Sequence, residues 1–124
     1  TEKNMLIKNF FSVTDTGLVN KKGQTFGRYG FSGSVYSATV SQFLIGVTSL
    51  ALAPTIGPPR PRLVGAGATF IVKDEVGGAL TTTITVVSQG EETIDGAANA
   101  TIITAYGARQ FYTDGANWFK LTSV

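Results

Sequence analysis

Apolar and polar residues alternate with a period of two along much of the second half of the chain, and this pattern predicts β-strands. The segments TFIVK and TTTITVVS show it best, since β-branched residues are frequent in both. Asp114-Gly115 lies between two further alternating segments and is a typical hairpin turn, because Asp and Gly accept the backbone angles that tight turns need. We therefore predict strands at 68–73, 81–88, 100–105, 108–113 and 117–122.

The first half of the chain shows a weaker pattern. Residues 35–53 are its most apolar part, and their partial alternation predicts a buried or interface strand. Its run from Phe43 to Ala53 is too short, and too interrupted by Gly46, Thr48 and Ser49, to cross a membrane. Ahead of it, in TFGRYGFSGS, aromatic residues alternate with glycine, which disfavours a helix. We interpret that segment as an extended arm that becomes ordered on a partner surface, or alternatively as a packed loop of the same domain.

The segment GPPRPR divides the sequence. Its prolines enforce an extended path, so residues 57–65 are predicted to link an N-terminal attachment lobe (1–56) to a C-terminal β-module (66–124). The charge changes sign at the same place. Residues 1–65 hold seven basic and two acidic side chains, a net +5, whereas residues 66–124 hold three and six, a net −3. The predicted fold class is all-β, with a small antiparallel sandwich or barrel-like C-terminal lobe preceded by an extended β arm.

Composition and spacing narrow the possible chemistry. The chain has no histidine and no cysteine, which removes imidazole bases, thiol nucleophiles and almost every zinc or copper site. Asp74 and Glu75 are neighbours that point to opposite faces of a strand, so we interpret them as a solvated turn and not as an acid–base pair. Asp95 and Asn99 offer too few oxygens for calcium. Scattered basic residues disfavour nucleic acid. We expect no catalysis, cofactor or metal.

Paired aromatic residues indicate contacts beyond one small module. Phe111 and Tyr112 are neighbours on one predicted strand, and Trp118 and Phe119 are neighbours on the next, so both faces of the sheet carry rings. A module of this size cannot bury both faces by itself. Trimerisation would cover the second face, and packing of the N-terminal lobe as a second layer is the alternative. A third interpretation is that Tyr112 and Trp118 are exposed and stack on a sugar.

Four segments, in their order and spacing, resemble a known protein module. VKDEVGGAL, TITV, ETIDGAANATI and YGARQFYTDGANWFKL together resemble a small β-module of bacteriophage virion proteins. That module occurs in tail-fibre and tail-spike tips, head fibres and capsid decoration (cement) proteins. The resemblance covers residues 66–122, about half of the chain. It implies a viral structural protein that forms a homotrimer and projects this module outward.

These observations together predict a capsid decoration protein on the virion surface, because the chain has no room for the long shaft of a fibre. Its expected partners are two further copies of itself and the major capsid protein, with neither nucleic acid nor membrane. The alternative is a head-fibre or tail-fibre tip that binds a host glycan or receptor. The predicted capsid contacts are Phe10, Phe11, Phe26, Arg28, Tyr29 and Phe31. The predicted trimer or core positions are Ile84, Val86, Ile102, Phe111, Trp118 and Phe119.

Overall fold

The computed structural model describes residues 11–14, 17–20 and 25–121, with side chains from residue 25 onward. This part of the chain is all-β, as the sequence predicted, and contains one short helix. The elements are β1 (Phe11–Thr14), β2 (Gly17–Asn20), β3 (Arg28–Phe31), β4 (Val35–Ser37), β5 (Leu44–Val47), β6 (Thr55–Gly57), α1 (Pro61–Val64), β7 (Thr69–Asp74), β8 (Ile84–Val87), β9 (Asn99–Ile102), β10 (Ala108–Thr113) and β11 (Trp118–Lys120).

The chain alternates between two sheets. β3, β5 and β7 lie parallel to one another in the first sheet, and β4, β6 and β8 do the same in the second. Each passage through both sheets makes one coil, so that β3–β4 is coil 1, β5–β6 is coil 2 and β7–β8 is coil 3. Successive coils stack in register, with Arg28 beside Leu44 and Leu44 beside Ile71. This is the arrangement of a short β-solenoid.

The chain reverses direction after coil 3. β9 runs antiparallel to β8, β10 runs antiparallel to β7, and β11 pairs with β10. The first sheet therefore has the order β11-β10-β7-β5-β3, and the second has the order β4-β6-β8-β9. The predicted hairpin at Asp114-Gly115 is present, with Thr113 paired to Trp118 and Gly115 at φ 97°. The sheets are mixed and not antiparallel throughout, because β7 and β8 pair with strands of the first half.

One apolar core lies between the two sheets. Inward and outward positions alternate along β7, where Phe70, Val72 and Asp74 are buried and the residues between them are less so. Burying an aliphatic or aromatic side chain stabilises the fold by about 2 kcal/mol. Both sheets contribute to this core, whose larger members are Phe31, Ile45, Val47, Ile56, Phe70, Val72, Ile84, Val86, Ile94, Ile102, Phe111 and Trp118.

Residues 57–65 lie inside this fold. Gly57 ends β6, and Pro58, Pro59 and Pro61 are buried. A proline has no N–H to donate, but its carbonyl still accepts. The oxygen of Pro58 accepts from Gln89 Nε2 at 2.9 Å, and that of Pro59 accepts from the indole N–H of Trp118 at 3.1 Å. Strands from both sides of this segment share one core, which differs from the predicted division into 1–56, 57–65 and 66–124.

The apolar stretch 35–53 also differs from its prediction. It forms two strands, β4 and β5, in different sheets, with a turn at residues 40–41 between them. Further upstream, β1 and β2 pair with each other, and within the described residues neither strand pairs with the two core sheets. A two-stranded sheet of this kind has little stability by itself.

Candidate functional site

Asp74 is fully buried, which corrects its interpretation as part of a solvated turn. It ends β7 with its side chain pointing into the core and has 0% exposure. Four backbone N–H groups donate to its carboxylate. Oδ1 accepts from Val76 (2.9 Å) and Gly77 (2.8 Å), and Oδ2 accepts from Ala79 (2.9 Å) and Tyr106 (3.0 Å). This one carboxylate therefore holds two turns together at the end of the first sheet.

The surroundings of Asp74 favour its ionised form. Burial raises the pKa of Asp74, but the four N–H donors lower it by more, so that it lies below its ordinary value of 3.8. Both oxygens are already occupied by backbone donors. The carboxylate is thus a structural anion, and its geometry gives it no free oxygen with which to take a proton from a substrate.

Most of the other acidic side chains are also engaged in structural contacts. Glu92 Oε2 accepts from Arg60 Nε at 2.8 Å, and Asp95 lies 3.9 Å from the ammonium of Lys120. Asp114 Oδ1 accepts from the N–H groups of Ala116 and Asn117, both at 2.9 Å, and so closes its own turn. These contacts separate the carboxylates from one another instead of gathering them around a cavity.

Arg28, a predicted capsid contact, is paired within the chain. Its Nε donates to Glu75 Oε2 at 2.8 Å, and its second nitrogen contacts Glu75 Oε1. The hydrogen bond from Arg28 lowers the pKa of Glu75. Two glycines that pair across β3 and β5 make room for these side chains. A Cβ at Gly46 would overlap the Glu75 carboxylate, and a Cβ at Gly30 would lie 3.3 Å from the Arg28 guanidinium.

Gly46→Ala is therefore expected to act through the Arg28–Glu75 pair. The added methyl group displaces the Glu75 carboxylate, which can swing into solvent, so we expect a small loss of stability, as is usual for exposed ion pairs. In a Glu75→Ala background the same methyl group displaces nothing, and most of the effect should disappear. Urea denaturation of the four proteins of this double-mutant cycle measures the coupling. An equal loss of stability in both backgrounds would show that Gly46→Ala acts through a contact other than the Arg28–Glu75 pair.

Coil 1 forms one end of the solenoid, and aromatic rings fill that end. Tyr29 stacks on Tyr36 with ring centroids 4.7 Å apart and planes 10° apart, and Phe31 packs against Tyr36 at 5.1 Å. Tyr36 is fixed by its hydroxyl, which donates to Gln42 Oε1 at 2.6 Å. Tyr29 remains 39% exposed, and Val35 on β4 is 72% exposed. In the part of the chain that the structure describes, no strand pairs with the outer edge of β3 or β4.

An apolar groove lies beside this end, where the chain enters β3, β5 and β7. Its volume is about 480 Å³, and its floor is made by Phe43 and Pro59. Phe26 packs edge-on against Phe43 with centroids 4.8 Å apart. Three strongly exposed side chains form the rim: Phe26 (51%), Val40 (58%) and Leu63 (62%). We call this feature the apolar groove.

The predicted capsid contacts are distributed over several environments. Phe10 lies outside the described residues, and Phe11 begins β1. Phe26 and Tyr29 are exposed near coil 1, whereas Phe31 is 8% exposed and belongs to the core. Phe31 is buried because β3 directs it inward onto Tyr36, so it is not part of a contact surface.

The predicted trimer or core positions lie mostly inside one chain. Ile84, Val86, Ile102, Phe111 and Trp118 are buried in the core, and Phe119 is partly exposed. Phe111 and Trp118 belong to the core between the two sheets, and the second sheet contains β4 and β6 of the first half beside β8 and β9 of the second half. Trp118 is 1% exposed and is not accessible to a sugar. Tyr112 is 40% exposed and packs on Phe119 at 5.4 Å on the outer face of the first sheet.

Tyr36, Val40 and Leu63 are surface or end residues that the sequence pattern did not indicate. No local pattern could have identified the rim of the groove, because its members come from three separate segments, two of them loops and the third the helix α1. Leu63 lay in the predicted linker, and Val40 lay in the predicted strand. Their proximity depends on the parallel pairing of distant strands.

Within the described ranges, no group of three or more His, Cys, Asp or Glu residues is placed to hold a metal ion. In the same ranges, no helix has the length and apolar character needed to cross a membrane. No protein-family model matches the sequence. A search of curated protein sequences gives no significant match either.

Proposed function

We propose that this chain is a structural protein of a bacteriophage virion, a capsid decoration protein that attaches to the shell through coil 1. The single observation that carries the attachment site is the open end of the solenoid. A solenoid needs a cover at each end, because the last coil otherwise leaves its core side chains in water. At coil 1, the exposed ring of Tyr29 and the unpaired outer edges of β3 and β4 lie at the same end.

The open end has the properties of an assembly surface. Tyr29 and Val35 expose apolar area that a partner could bury, with a gain of about 25 cal/mol per Å² removed from water. β3 and β4 also offer backbone groups for pairing with a strand of the partner. Monomeric proteins usually protect strand edges of this kind from pairing with another chain. The capsid as the partner is supported by the resemblance of residues 66–122 to virion modules.

The homotrimer is part of the same proposal. One chain already buries Phe111 and Trp118, so these residues no longer argue for neighbouring copies. The remaining candidates for a contact between copies are Tyr112 and Phe119 on the outer face of the first sheet. Light scattering of the purified chain tests this point separately from capsid binding, and a monomer at all accessible concentrations would remove the trimer from the proposal.

The capsid proposal is tested by adding the purified chain to capsids assembled without it. We expect saturable binding that co-sediments with the shell. Val35→Lys places a charge beside the outer edge of β4 and should weaken binding by about tenfold or more. Leu80→Lys is the matched control, because Leu80 is equally exposed (74%) but lies in the turn between β7 and β8. Absence of binding, or equal loss in both variants, would contradict attachment through coil 1.

One observation favours a second candidate, a fibre tip that binds a host glycan. Tyr112 and Phe119 form an exposed aromatic pair that could pack against a sugar ring. Titration of host cell-wall glycans against the chain, with Tyr112→Ala as the variant, separates the candidates. Binding that depends on Tyr112 would favour the fibre tip over the decoration protein.

A further inference from the structure

The apolar groove is a cavity of the described surface that apolar side chains border. Three rim side chains, Phe26, Val40 and Leu63, each leave more than half of their area exposed around one cavity. Side chains exposed singly are ordinary in proteins, but a group that converges on a concave site usually marks a contact. A cavity of about 480 Å³ can admit one or two side chains of a partner.

We propose that the groove receives an apolar side chain of an extended, acidic segment of a partner protein, and that this segment adds to β3 as a further strand of the first sheet. The inference rests on the proposed function, in which coil 1 is the attachment end. The inference specifies the chemical nature of the partner segment that binds at this end. An extended segment is recognised through backbone hydrogen bonds along a strand edge, and its alternate side chains enter pockets.

The groove lies close along the chain to the start of β3. Phe26 on the rim lies two residues ahead of Arg28, the first residue of β3. β3 pairs with β5 on one side, and its other side is open in the described residues. A strand laid along that open side extends past the start of β3 toward the groove. Every second side chain of such a strand points to the same face, so one of them can enter the groove.

Charge favours an acidic segment. The groove is lined by apolar and uncharged side chains, and one wall is the short helix α1, which carries Leu63 and Val64. Arg62 is exposed on the same helix, and the described chain provides no ion pair for it. Arg28 and Arg60 are neutralised by Glu75 and Glu92. The exposed positive charge on α1 that has no ion pair in the described chain is therefore that of Arg62, which attracts a carboxylate.

The test uses a random peptide library panned against the immobilised full chain. We expect enriched peptides that alternate apolar residues with Asp or Glu and that bind in a salt-dependent manner. Leu63→Asp should lower their affinity by about tenfold or more. Arg62→Gln should weaken binding less and reduce its salt dependence. Leu80→Asp, an equally exposed substitution away from the groove, should bind as the unchanged chain does.

Three results would overturn the proposal. They are the absence of any enrichment over a blank surface, enrichment of basic peptides, and equal binding to the Leu63→Asp chain. Hydrogen exchange supplies a further criterion, because strand addition must protect amides of β3 when the peptide binds. Unchanged exchange of these amides would contradict the addition of a strand to β3. A dimer that disappears on Leu63→Asp would show that a second copy occupies the groove and would replace the proposed occupant.

The outcome is distinct from that of the capsid experiment. If the chain binds capsids and Leu63→Asp leaves that binding unchanged, the groove proposal fails and the decoration proposal stands. If capsids are not bound but acidic peptides are, the decoration proposal fails and the groove is a docking site for another protein.

Discussion

Asp74→Asn is expected to destabilise the fold by about 3 kcal/mol, although it changes one oxygen to nitrogen and keeps the shape of the side chain. Each carboxylate oxygen of Asp74 accepts two backbone N–H groups. An amide has only one oxygen, so its NH₂ group must face two donors and can accept from neither. Urea denaturation followed by far-UV circular dichroism measures the loss.

Asp114→Asn is the matched control for that substitution. Asp114 also accepts two backbone N–H groups, but both go to the same oxygen, Oδ1. An asparagine retains that oxygen, so the turn keeps its bonds and the denaturation midpoint should change little. Equal effects of the two substitutions would show that the two-oxygen geometry of Asp74 is not what stabilises the turns.

The same carboxylate predicts a pH dependence. The pKa of Asp74 is lower in the folded chain than its ordinary value of 3.8. Its contribution to stability is therefore complete above about pH 5 and is lost as the pH falls through the folded pKa. The stability difference between the unchanged chain and Asp74→Asn should narrow below about pH 4. Glu75 and Asp114 titrate in the same range but are common to both proteins, so the difference isolates Asp74.

Trp118→Ala is expected to cost about 4 kcal/mol, a large part of the stability of a small domain. The indole is 1% exposed, packs on Phe70 at 6.1 Å and donates to the carbonyl of Pro59. Alanine leaves a cavity and an unpaired buried oxygen. Trp118→Phe keeps a ring in the core and loses only the hydrogen bond and part of the volume, so about 1–2 kcal/mol is expected.

Denaturation curves recorded by circular dichroism compare these two variants, because Trp118 is the only tryptophan and its removal abolishes the fluorescence signal. Tyr112→Ala on the outer face serves as the exposed control and should cost less than either. A loss from Tyr112→Ala as large as that from Trp118→Ala would show that the outer face of the first sheet is as well covered as the core.

The sequence predicted the strands whose pattern is local. β8, β10 and β11 fall within the predicted segments and β7 extends one residue beyond its own, since alternation of β-branched and polar residues needs no knowledge of the partner strand. The turn at Asp114-Gly115 was predictable for the same reason. The parallel pairs were not, because Leu44 pairs with Ile71 and Thr55 pairs with Thr85, far along the chain. The residues next to Thr55 in the sequence do not indicate which distant strand it pairs with.

Residues 57–65 were predicted to be a linker by a reliable local rule, yet they lie inside the fold. Prolines exclude a central strand because they lack a donor, and that is why the segment was interpreted as a linker. Here the structure uses their carbonyls as acceptors for Gln89 and Trp118. The rim of the apolar groove could not be predicted either, because it depends on tertiary packing. Leu63 acquires its neighbours Phe26 and Val40 only after the coils have stacked.

The parallel stacking of the coils also governs the order in which the chain can fold. β10 and β11 are joined by a four-residue connection, so they can pair early, whereas β3 and β4 pair with β5 and β6 only across longer connections. During synthesis the first half leaves the ribosome before the strands that complete its sheets exist. Coil 1 can pair with coil 2 once β6 has emerged, but a ribosome-bound chain that ends before β7 leaves the other edge of β5 unpaired and exposed to aggregation.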